Sequence, residues 1–185
     1  MRAGTIVLYQ RKNIQGYYLH FIQEKKMPII IMLFIIYLIG LNTDLVPFMA
    51  SSTSPWWTLF TFNFVHASFV HLAINCFVLW SYLRVLKKKD IIPLSLLSFI
   101  IVPIAAYLSS AQTPTCGFSA VISVIIGYYV SRLKGKLFFK ALFLIVFSYV
   151  FTLFFAKNIN TAIHAYSFFS SLIISYACKG RNKDK

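Results

Sequence analysis

Six runs of apolar residues, each bounded by polar or charged positions, take up most of this 185-residue chain. They lie roughly at residues 28–41 (with a possible extension to 46), 63–83, 91–108, 118–131, 137–156 and 161–178. One hydrocarbon crossing needs about 20 residues, so six crossings would take roughly 120. The remainder suffices for tails and loops and leaves no room for a separate soluble domain. Hydrophobic residues make up 59% of the chain and charged residues 12%, with 19 Phe and 11 Tyr. A soluble core of this size cannot hide so much apolar surface, and disordered chains have the opposite composition. The chain reads as a polytopic membrane protein. Lipid requires each segment to satisfy its own backbone groups, so the expected fold is all-α.

The net charge is +14. A nucleic-acid partner is not expected, because the charges lie in short clusters between apolar runs rather than along one face. Seventeen of the 18 basic residues fall in the N-terminal tail, after runs two and four, and after run six. Lys157 falls on the other side of a six-span arrangement. Basic residues gather on the cytoplasmic side, which predicts both termini inside. A five- or seven-span arrangement would scramble this partition. The expected organisation is a cytoplasmic tail at residues 1–27, a six-helix membrane domain at 28–178, and a basic cytoplasmic tail at 179–185. Residues 1–27 mix polar and apolar positions and do not read as a cleavable signal. His20, in that tail, reads as solvated. Cys76, Cys116 and Cys178 stand singly and read as free thiols.

Residues 42–58 form a long loop without a basic residue, and Trp56 and Trp57 within it suit a membrane interface.

Polar groups inside spans are costly and are functional candidates. His66, His71 and Asn75 fall in run two, Ser119 opens the short run four, and His164 lies in run six. At about 1.5 Å per helical residue, Ser119, His71 and His164 all stand roughly 20–22 Å above the basic end of their helices. They share one level in a core of about 30 Å. Asn75 follows His71 by one turn on the same helix face. Three helices thus bring a hydroxyl, two imidazoles and an amide to one plane.

Run four is too short to cross the hydrocarbon alone, so its helix is expected to begin inside the bilayer near Gly117. The polar stretch at 109–117 precedes it. A helix N-terminus there offers free N–H donors and a positive dipole end, which suit a developing oxyanion. Ala120, Ser123 and Gly127 in run four and Ser167, Ser171 and Ser175 in run six form small-residue stripes. Such stripes let helices approach closely in lipid. Close packing of these two helices would bring Ser119 and His164 within hydrogen-bond reach.

From Trp56 to Ser175 the constellation resembles the rhomboid family of intramembrane serine proteases. Family members carry W-R-x-x-T, then H-x(4)-H-x(3)-N, then G-x-S-G with a later glycine, then H-x-x-G-x-x-x-G. This chain has Trp57 to Thr61, then His66, His71 and Asn75, then Gly117-Phe118-Ser119-Ala120 with Gly127, then His164 with Ser167 and Ser171. Thr58 stands at the loop arginine, Ala120 at the glycine after the serine, and Ser123 where many members place a tyrosine against the catalytic histidine.

The resemblance implies a six-transmembrane-helix rhomboid-like bundle with a Ser–His dyad and no third acid. Ser119 would be nucleophile and His164 general base. His71, Asn75 and the Ser119 N–H would line the oxyanion hole. Gly117, His66, Trp57 and Gly127 would be structural. The four acids, Glu24, Asp44, Asp90 and Asp184, lie off the dyad's level. The implied activity is hydrolysis of peptide bonds in or near transmembrane segments of other proteins. Substrate would enter laterally near spans two and five, under a fifth loop that is short here. Neither cofactor nor metal is implied, and the partners are transmembrane substrates and the lipid bilayer. A chain this short, with no targeting extension, is expected in a bacterial cytoplasmic membrane. Two rival readings are a non-catalytic relative that binds membrane-protein clients, and a transporter or metal-binding protein using His66, His71 and His164. The second needs His66 and His71 on one helix face, which a spacing of five disfavours.

Overall fold

The computed structural model describes residues 27–109, 114–155 and 159–181. The rest of both tails, His20, Lys157 and part of the 109–117 stretch lie outside the described residues. Among the described residues seven α-helices follow in order: α1 Pro28–Gly40, α2 Thr58–Thr61, α3 Phe69–Val85, α4 Lys88–Ser109, α5 Ser119–Arg132, α6 Gly135–Phe155 and α7 Thr161–Arg181. A 3-10 turn, Val46–Phe48, follows α1, so that helix does not run on to residue 46. Among the described residues the nearest thing to a strand is one antiparallel pair, Ala50 with Thr115.

Local chemistry explains the boundaries. Pro28 opens α1, where a missing N–H costs nothing. Ser68 caps α3, its hydroxyl accepting from the His71 N–H at 3.2 Å. Gly135 opens α6 three residues after α5 ends, with a φ of 53°, a conformation glycine adopts freely.

Each of the six apolar runs becomes a helix, with one correction. Run two is not a single helix from residue 63. It breaks between Thr61 and Phe69, and the two halves meet at 90°. The side-chain cap at Ser68 restarts the helix, and Gly117 N–H and Thr58 draw on the broken segment's groups. His66 therefore lies in the break between α2 and α3 and not within a helix. α4 and α6 are each long and apolar enough to cross a membrane, and the bent pair makes a third candidate. α1 and α5 are shorter apolar helices.

α5 sits at the centre and packs on α3, α4, α6 and, most closely, α7. A Cβ on Gly127 would stand 2.5 Å from the Phe168 carbonyl oxygen and 3.0 Å from the Leu172 nitrogen. Only glycine permits that backbone approach. The Ser171 hydroxyl donates to the Val124 carbonyl at 2.7 Å across the same seam. Ser167 and Ser171 are fully buried there. By contrast α6 buries none of its residues, and Phe139, Phe143, Phe147 and Phe151 stand exposed. Such a surface suits lipid and not water. A largely apolar cavity of about 480 Å³ opens between α1, α3, α4 and α5.

Candidate active site

The segment before Ser119 is pinned from three directions. Gly117 donates its N–H to the Phe62 carbonyl at 2.9 Å. The Phe118 N–H reaches His66 Nε2 at 3.4 Å. His66 Nδ1 faces the Phe64 carbonyl at 3.3 Å. A carbonyl only accepts, so Nδ1 carries the proton and Nε2 is free to accept. Thr115 exchanges both backbone bonds with Ala50, at 3.0 and 2.7 Å. Asn160 Nδ2 donates to Thr115 Oγ1 at 3.2 Å and to Ser109 Oγ at 3.1 Å. Asn160 Oδ1 accepts the Ile163 N–H at 3.3 Å and so caps α7. The break before α3, the loop after α1 and the start of α7 together hold the entry to α5.

Gly117 has a φ of 113°, closed to most side chains. A Cβ there would stand 2.5 Å from His71 Cε1 and 3.3 Å from Asn75 Nδ2. The backbone just before Ser119 therefore lies against both side chains of the α3 pair. Asn75 Nδ2 is buried and has no hydrogen-bond partner among the described residues. A buried donor left unpaired costs about 1–3 kcal/mol. Its position beside the first turn of α5, whose leading N–H groups lack intrahelical acceptors, makes a cluster of donors awaiting an acceptor. Helix geometry brings His71 and Asn75 to one face one turn apart; the glycine brings α5 onto that face.

His164 comes from the first turn of α7. Its Nδ1 lies 3.5 Å from Ser123 Oγ. Its ring also faces the Ser119 carbonyl. Tyr149 of α6 donates its hydroxyl to the His164 carbonyl at 3.2 Å. No hydrogen bond joins the Ser119 hydroxyl to His164, which the stripe packing led one to expect; the contact is made one turn along α5, at Ser123. Catalytic hydrogen bonds are commonly loose without substrate.

Ser119, His71, Asn75, His164, Gly117 and His66 are thus gathered around the start of α5. Gly127 lies two turns away in the α5–α7 seam. Trp57 stands apart, 47% exposed, and its carbonyl closes the turn of α2. Thr58, at the loop-arginine position, is fully buried and donates to the Pro55 carbonyl at 2.6 Å. His66 accepts from the Phe118 N–H at the entry to α5. Its ring centroid lies 5.2 Å from that of His71, because the chain turns between them. The objection that five residues separate them off-face therefore fails. Among the described residues, however, no three His, Cys, Asp or Glu side chains gather as metal donors. Sequence reasoning missed Tyr149, Thr115 and Asn160. Asn160 carried a readable signal, an Asn directly before an apolar helix. Tyr149 is one tyrosine in a phenylalanine-rich helix, and its sequence gives no partner.

The sequence profile of the rhomboid domain matches residues 53–180. The chain belongs to the rhomboid family. Rhomboid proteins are generally intramembrane serine proteases. The match spans the helices α2 to α7 that build this rhomboid site, and the apolar helices make it an integral membrane protein. A comparison with curated proteins finds no match.

Proposed function

We propose that this rhomboid protein is an intramembrane serine endopeptidase that cleaves peptide bonds in or near transmembrane segments of other membrane proteins. The observation that carries the reading is the unpaired, buried Asn75 Nδ2, set with His71 against the glycine two residues before Ser119. Ser119 Oγ attacks the scissile carbonyl, and its proton passes to His164. The tetrahedral oxyanion forms beside Asn75, His71 and the Ser119 N–H. Donors already in place gain most where charge develops. The protonated imidazole then gives its proton to the leaving amine, and water hydrolyses the acyl-enzyme by the same route. In this reading the chain has six spans with both termini inside, and its site lies near the outer face of a bacterial cytoplasmic membrane. The barely packed α6 supports substrate entry beside it.

The test is cleavage of a tagged transmembrane substrate in reconstituted membranes. The wild-type chain cleaves it; Ser119→Ala and His164→Ala insert normally and do not. Full turnover by Ser119→Ala would overturn the assignment. A second reading has one observation in its favour, the absent Ser119–His164 hydrogen bond: a catalytically silent relative that holds membrane-protein clients. It expects client capture without cleavage by wild type and Ser119→Ala alike.

A further inference from the structure

Among the described residues no acidic side chain partners His164. Ser123 lies one turn after Ser119 on α5 and is 5% exposed. Its hydroxyl donates to the Ser119 carbonyl at 2.9 Å. A carbonyl has no proton to give, so the direction of that bond is settled. The hydroxyl has one proton, already committed, and its remaining capacity is to accept. With the hydroxyl donating in this way, the contact with His164 Nδ1 at 3.5 Å is one that the Nδ1–H tautomer makes, whereas the other tautomer would need the hydroxyl proton turned to the ring. In the Nδ1–H tautomer Nε2 is left with its lone pair. Tyr149, reaching from α6 to the His164 carbonyl, fixes the backbone that carries the ring.

We propose that Ser123 is a positioning residue: it holds His164 in the Nδ1–H tautomer so that Nε2 is the base toward Ser119. This rests on the protease reading above. The general-base nitrogen of a serine protease must be bare, and in triads a carboxylate enforces that by accepting the Nδ1 proton. Here a neutral hydroxyl, itself anchored on the backbone of the nucleophile, does the orienting part without supplying charge. The same hydrogen-bond chain, His164 Nδ1–H to Ser123 Oγ–H to the Ser119 carbonyl, ties the base to the residue it activates. A movement of α7 against α5 would loosen both at once.

The experiment pairs kinetics with histidine nitrogen NMR on the full chain in bilayers. Resonances are assigned by comparison with His66→Asn, His71→Asn and His164→Asn proteins. The wild-type His164 should show a protonated Nδ1 and a bare Nε2. In Ser123→Ala the two tautomers should mix, with kcat lower by about 10- to 100-fold and KM nearly unchanged. Ser123→Thr keeps the hydroxyl and should restore both readouts. A wild-type proton on Nε2 overturns the proposal. So does Ser123→Ala with the wild-type spectrum and wild-type kcat. Should Ser123→Ala fail to fold, the wild-type spectrum and Ser123→Thr decide the matter. A chain that cleaves nothing while His164 keeps its Nδ1 proton refutes the protease reading and upholds the tautomer.

Discussion

The Phe168 carbonyl oxygen lies 2.5 Å from the point where a Cβ would stand on Gly127. α5 and α7 meet there backbone to backbone, and the serine-lined face of α7 makes the approach possible. This seam sets how far His164 stands from the start of α5.

Gly127→Ala should therefore lower stability, because backbone atoms on both sides have nowhere to move. Overpacking of this kind costs about 1–3 kcal/mol. Gly135→Ala meets no atom within 4 Å and suffers only its φ of 53°, a strain of about 1–2 kcal/mol. Thermal unfolding in detergent should show both losses. Only Gly127→Ala should also impair cleavage, because only that change spreads the two site helices.

Gly117→Ala should abolish cleavage while α5 still forms. The added methyl meets His71 Cε1 and Nε2 at 2.5 and 2.6 Å, and the φ of 113° is unfavourable for alanine. Loss of the donor arrangement should cost at least the roughly 10²–10³ assigned to one oxyanion donor. Cleavage rates at matched membrane levels check this. Near-wild-type turnover would show that His71 and Asn75 do not serve the reacting carbonyl.

Asn75→Ala and His71→Ala should each reduce kcat by about 10²–10³, or roughly 3–4 kcal/mol, and leave measurable activity. His164→Ala should cost more, because Ser119 then loses its base. Asn75→Ala should at the same time leave thermal stability unchanged or higher, since it removes a buried donor without a partner. If His71→Ala is as dead as Ser119→Ala while His164→Ala works, the two histidines have exchanged roles.

Asn160→Ala should remove the cap of α7 and both ties to Ser109 and Thr115. Loss of a cap costs about 1 kcal/mol. The expected result is a lower unfolding temperature with faster proteolysis of the loop between α4 and α5. An unchanged protease pattern would mean that the bonds to Ala50, Phe62 and His66 secure that loop without Asn160.

Single cysteines at residues 84–90 and 132–136 should label from the side opposite to cysteines at 42–55, in a chain with Cys76, Cys116 and Cys178 replaced. Impermeant reagents applied to sealed vesicles make the measurement. Labelling of both sets from one side would refute the six-span topology.

Much of the candidate site is legible in the sequence, and for a reason. Ser119, His71, Asn75 and His164 are polar interruptions in apolar runs, where lipid makes each one conspicuous. The glycine at 117 and the stripes through Gly127 and Ser171 are read from residue size alone. His66 was misplaced because hydropathy carries straight through residues 62–68 and cannot register a turn whose polar groups are satisfied by distant chain. Its partner, Phe118, is 52 residues away. Tyr149 and Asn160 are less legible, because their partners, the His164 carbonyl for one and Ser109 and Thr115 for the other, lie in distant parts of the chain.

By itself the sequence determined the helical, membrane-embedded character of this protein and the run that forms each principal helix. Hydropathy, charge and residue size act within a run, so they survive without a fold. Only the tertiary structure decided the 90° break before α3, the contact of Gly117 with His71 and Asn75, and the pairing of Ser123 with His164 across 41 residues. Those depend on how each helix is rotated against its neighbours. That rotation is set by the packing of many small residues together, and no single run contains it.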